Sequence, residues 1–89
     1  MNKTIITVVG KDSIGIIAKI CTYLSGKGVN VLNISQTIVD GFFNMIMIVD
    51  VPENVEFVSV NDELVKLGEE LGVSIKVQRE DIFNKMHRI

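Results

Sequence analysis

One cysteine, one histidine, one proline and two arginines among 89 residues leave little material for most enzyme chemistry. Cys21 has no second thiol with which to form an internal disulfide or a paired-thiolate metal site. With a single His87 there is no Ser/His/Asp or Cys/His set to assemble, so no catalytic, metal or cofactor site is expected. The formal net charge of −2 offers no electrostatic ground for binding nucleic acid or an anionic membrane. No apolar run approaches the roughly 20 residues that span a bilayer. A secretory signal pattern is missing too, which together with the lone cysteine leads us to expect a cytoplasmic protein. No linker or low-complexity stretch interrupts the chain. The expected organisation is one domain over 1–89, with a core of 1–80 and a helical tail of 81–89.

What is present is apolar. Hydrophobic residues make up 47 % of the chain and the mean hydropathy is +0.37. A domain this small buries a limited share of its surface, so part of that content is expected on an outer face that a second copy would cover.

Along the chain, Thr4–Val9 is rich in Ile and Val and predicts a buried strand. Apolar residues then recur at Ile14, Ile17, Ala18, Cys21 and Leu24, the spacing of a helix ended by Gly26 or Gly28. Val29–Asp40 returns to strand character, and Asp40-Gly41 is a hairpin signal into a third strand, Phe42–Val51, stopped by Pro52. Phe57, Val60, Leu64, Leu67 and Leu71 form a second helical stripe, Gly72 ends it, and Val73–Val77 predicts a fourth strand. Ile82, Phe83, Met86 and Ile89 again have helical spacing. Gly28-Val-Asn-Val31 and Gly72-Val-Ser-Ile75 repeat each other at the two helix exits. The order is βαββαβ, which folds as an α+β ferredoxin-like sandwich: a four-stranded antiparallel sheet with both helices on one face and a short C-terminal helix.

The third strand is apolar on both sides. Alternation places Phe43, Met45, Met47 and Val49 with Val51 on one face, and Phe42, Ile46 and Ile48 on the other. Helices can cover only one of these. We assign Phe43, Met45, Met47 and Val49 to an interface with a partner, giving a homodimer or a higher even oligomer.

Gly10-Lys-Asp-Ser-Ile-Gly15 joins the first strand to the first helix. A turn there presents free backbone amides at the positive end of the helix dipole, a seat for a carboxylate or phosphate. Gly15 lets a ligand approach without meeting a Cβ, although close helix–sheet packing would favour glycine equally. Asp12 or Ser13 can instead cap the helix, a role worth about 1 kcal/mol by itself.

Lys11-Asp-Ser-Ile-Gly-Ile-Ile-Ala-Lys-Ile20, followed by Gly28-Val-Asn-Val31, resembles the signature of the ACT domain. The tail, Glu80–Ile89, further resembles stand-alone ACT proteins related to the glycine-cleavage-system repressor. The resemblance implies a regulatory module that binds a small molecule, most often an amino acid, at a subunit interface. The implied ligand site comprises Asp12, Ser13, Ile14, Gly15 and Ile16 of one chain facing Asn30 of another. Amides of Ile14, Gly15 and Ile16 would take the α-carboxylate, Asp12 the ammonium, and Asn30 either group. Where the family commonly has proline before the glycine, this chain has Ile14.

Rivals of the same topology fit less well. An acylphosphatase-like loop needs an arginine to hold the transferred phosphoryl group, and both arginines, Arg79 and Arg88, lie beyond the fourth strand. An RNA-recognition surface needs an aromatic on the first strand, which has none. A ligand-free adaptor working through the third strand and the tail is the second expectation. A sensor without an output domain would pass its signal to a regulated protein partner or into a change of assembly.

Overall fold

The computed structural model describes residues 2–11 and 15–79, with nothing said of the Asn2 side chain. Strand β1 (Asn2–Lys11), helix α1 (Ile16–Gly26), strands β2 (Asn30–Val39) and β3 (Phe42–Val51), helix α2 (Phe57–Leu71) and strand β4 (Ser74–Arg79) follow in that order. The sheet is antiparallel in the order β2-β3-β1-β4, the ferredoxin-like arrangement predicted from the sequence. The expected tail helix over 81–89 lies outside the described residues.

Local turn chemistry sets the connections. Asp40 and Gly41 both have positive φ, 50° and 80°, as a two-residue hairpin turn requires. Both helices end alike. Val29 N–H donates to Leu24 O at 2.9 Å and Val73 N–H donates to Gly68 O at 2.9 Å, each across a left-handed glycine. This bond closes the orphan carbonyls of the last turn, and the valine beyond it is buried at both exits. The repeated Gly-Val pairs are therefore helix stops.

The core lies between the helices and one face of the sheet. Ile6 and Val8 of β1, Ile75 and Val77 of β4, and Ile16, Ile20, Leu24, Val60 and Leu64 of the helices enclose Phe43, Met45, Met47 and Val49 of β3. The interface assignment of those four β3 residues is thus corrected. Met47 pairs with Ile6 and Met45 with Val8, and both methionines are completely buried within the monomer. Alternation separated the two faces correctly, but two apolar faces on one strand look the same to a periodicity argument. The open face carries Phe42 and Ile46, 48 % and 45 % exposed.

Helix α1 is also rotated from the predicted stripe. Ile16, Ile20 and Leu24 point into the core, while Ile17 and Cys21 flank it and Ala18 is exposed. In α2, Val60, Leu64 and Gly68 are buried, with Phe57, Leu67 and Leu71 packed beside them. Strand β2 is the exposed edge. A bulge between Val31 and Asn33 sets Leu32 out of register with β3. Beyond it, Ile34 and Ile38 sit opposite Met47 and Phe43, yet Ile38 is 60 % exposed because the helical layer stops short of this edge.

Candidate functional site

The first candidate site is the start of α1. Gly15 occupies its N-cap position with φ 91° and ψ −3°, and no side chain caps the helix. The helix therefore begins later than the spacing around Asp12 and Ser13 predicts. Asp12, Ser13 and Ile14 themselves lie outside the described residues. Lys19 N–H donates to Gly15 O at 3.0 Å, the first rung of the helix. The amides of Ile16, Ile17 and Ala18 precede that rung and point out of the helix end, as the first amides of any helix do. The Ile16 side chain is buried in the core, so its contribution to a site is its backbone. A Cβ on Gly15 would meet no described atom within 4 Å. The left-handed φ requires glycine here, and helix–sheet packing does not.

Asn30 is exposed at the far end of the sheet. It pairs with Asp50, which pairs with Lys3, whereas the other end of the same strands carries the row Val39, Phe42 and Lys11. Eight residues of β1 separate Lys3 from Lys11, about 26 Å at the usual rise of about 3.3 Å per residue. Gly15 and Ile16 thus adjoin each other at one end, and the fold does not bring Asn30 to them within one chain.

A second feature escaped the sequence reading. A groove of about 710 Å³ runs between α1 and α2, lined by Lys19, Thr22, Tyr23, Glu63, Lys66 and Leu67 among others. At its wall the Tyr23 hydroxyl donates to Glu63 Oε1 at 3.0 Å, and Lys27 Nζ lies 3.3 Å from the same oxygen. Partial burial, reinforced by the hydrogen bond to Glu63 and its charge, pushes the Tyr23 phenol up to about 12. It stays protonated across the physiological range and acts there as a donor, not as a base. Residues 40 apart in sequence carry no mutual signal in a single chain, so nothing in the sequence could have revealed the pair.

Among the described residues no group of three His, Cys, Asp or Glu side chains could hold a metal ion, and no helix is long and apolar enough to cross a membrane. Cys21 is half-buried against the core.

Comparison with known proteins agrees with this architecture. The chain is 60 % identical over 90 residues to a UPF0237 protein of Bifidobacterium longum, and 49 % identical over 90 residues to a UPF0237 protein of Methanocaldococcus jannaschii. Both alignments span each chain completely. An ACT domain protein from Streptococcus pneumoniae superposes with a TM-score of 0.83 at 39 % identity, covering 92 % of this chain and 93 % of that one. A putative glycine cleavage system transcriptional repressor shares the fold, with a TM-score of 0.77 at 23 % identity over 88 % of this chain and 45 % of that one. The ACT domain family model matches residues 2–78. A four-stranded sheet in this order, a helix opened by a left-handed glycine and relatives alike over their whole length have one explanation: the chain belongs to the ACT domain family, a family of regulatory small-molecule-binding domains.

Proposed function

We propose that this protein is an amino-acid-binding regulatory domain that works as a homodimer, without catalysis of its own. The ligand would lie between the β1–α1 turn of one protomer and the start of β2 of its partner. The observation that carries this reading is the helix start at Gly15, which has no side-chain cap and so leaves the helix end open to an anion. The α-carboxylate would take the backbone amides at the start of α1, near Ile14, Gly15 and Ile16. Asp12 would accept the ammonium, Ser13 would border the pocket, and Asn30 would arrive from the second chain.

The strand register favours two chains. Gly15 and Asn30 belong to opposite ends of the sheet, so a shared site needs a partner running the other way. The unpaired β2 edge allows that: two β2 strands paired antiparallel about a two-fold axis set Asn30 of the partner beside Val39, at the Lys11 end. Output would pass to a regulated protein partner or through the assembly equilibrium, provided that the liganded state is distinguished from the free one.

One observation favours an adaptor instead: Phe42 and Ile46 stand exposed on the open sheet face. A thermal-shift screen against the twenty amino acids separates the two readings. A ligand at about a hundred times its dissociation constant adds about 2.7 kcal/mol, a rise of about 4–8 °C per kcal/mol for a domain of this size. A shift with one amino acid that Asp12→Ala abolishes and Ile46→Glu leaves intact supports the sensor. A flat screen, combined with loss of a cellular readout in Ile46→Glu alone, overturns it in favour of the adaptor.

A further inference from the structure

Exposure changes sharply along the open face of the sheet. At one end Val9, Phe42 and Ile46 are 39 %, 48 % and 45 % exposed. Toward the other, Ile48 and Asp50 are half-buried and Ile5 is only 6 % exposed. Ile5 alternates with Ile6 and pairs with Ile48 and Gln78, so it belongs to the face away from the helices. It is a buried hydrophobe outside the cluster that the helices cover. Both described helices lie on the opposite side, and neither can shield it.

Strand β4 ends at Arg79, one residue past Gln78, the neighbour of Ile5. Ten residues follow, with Ile82, Phe83, Met86 and Ile89 at helical spacing. Ten helical residues measure about 15 Å. Three strand spacings of about 4.8 Å measure about the same, the width of a four-stranded sheet from axis to axis. The segment opens with Glu80-Asp81, and the nearby face carries the exposed cations Lys3 and Lys76.

We propose that residues 80–89 of this chain lie across the open face over Ile5 and Ile48. They close the end of the sheet where β4 finishes and leave the Val9, Phe42 and Ile46 end bare. The tail is then an internal cover that limits what a partner can reach on this face. A second copy is the competing occupant, and its signature is dependence on concentration.

The test is methyl NMR of the full chain and of an Ile82→Glu/Phe83→Glu double variant, with a soluble paramagnetic agent reporting methyl exposure. In the wild-type protein we expect cross-relaxation between the Ile5 methyl groups and the Phe83 ring, and protection of Ile5 and Ile48 relative to Ile46. In the variant that protection is lost to the level of Ile46, while Ile20, under the helices, stays protected. Protection of Ile5 that survives in the folded variant overturns the proposal, as does protection that disappears on dilution of the wild-type protein. Should the variant fail to fold, the Ile5–Phe83 cross-relaxation in the wild-type protein decides: its presence supports the cover and its absence overturns it.

Discussion

The two halves of the fold, β1-α1-β2 and β3-α2-β4, close their helices by the same device and differ at almost every other point. Gly28-Val29 and Gly72-Val73 make equivalent left-handed stops with equivalent hydrogen bonds. The entries are unlike. Helix α2 starts from Glu56 in an extended conformation, φ −75° and ψ 130°, after Pro52, whereas α1 starts from left-handed Gly15. The outer strands are unlike as well. Ile75 and Val77 of β4 are buried under α2, while every residue of β2 from Leu32 onward is exposed. The second half is packed to contact. A Cβ on Gly68 would lie 2.9 Å from both Val73 O and Ile75 Cγ1, and one on Gly10 would meet Val73 Cγ1 at 2.5 Å. The second half therefore supplies rigidity. The first leaves a strand edge and a helix end open, and those are the features a binding module needs.

The largest expected effect tests the two sides of β3. Met47→Ala removes a fully buried side chain and should cost about 2–5 kcal/mol in urea denaturation. Ile46→Ala, on the open face, should stay within about 0.5 kcal/mol. Similar losses for both would mean that the open face is buried in solution. Next comes the contrast between the helices. Gly68→Ala forces α2 off β4 and should cost about 1–3 kcal/mol. Gly26→Ala in α1, where an added Cβ meets no described atom within 4 Å, should gain about 0.5–1 kcal/mol. Equal changes would remove the difference in packing between the halves.

The smallest effect concerns the tie between them. Tyr23→Phe should cost about 1 kcal/mol at neutral pH, the net worth of one hydrogen bond. The phenol ionises near 10 in the unfolded chain and near 12 in the folded one. Its contribution is therefore complete below pH 10 and fades as pH rises toward 12, because the unfolded state releases the proton first. Denaturation of the wild-type protein and Tyr23→Phe across that window should converge. A constant gap would show that the hydroxyl does not hold the helices together.

Much of this fold was legible from short-range chemistry. Asp40-Gly41 specified its hairpin, the two Gly-Val pairs specified helix stops, and the spacing of Phe57 to Leu71 matched the observed bounds of α2. Such signals survive in a single chain because φ preferences and periodicity act between residues within a few positions of one another. The start of α1 was harder to place. Its apolar residues at 14, 16, 17, 18, 20 and 21 permit more than one stripe, and contact with β1 and β3 selects Ile16, Ile20 and Leu24.

The sequence by itself determined the element order, the turns and the family, since each depends on local conformational preference or on a contiguous motif. Only the tertiary structure decided which apolar face of β3 turns inward, that Gly68 is required by the approach of Val73, and that Tyr23 meets Glu63. It also set Gly15 and Asn30 at opposite ends of one sheet. Those outcomes depend on contacts between residues far apart in the chain, and such contacts exist only once the helices have settled on the sheet.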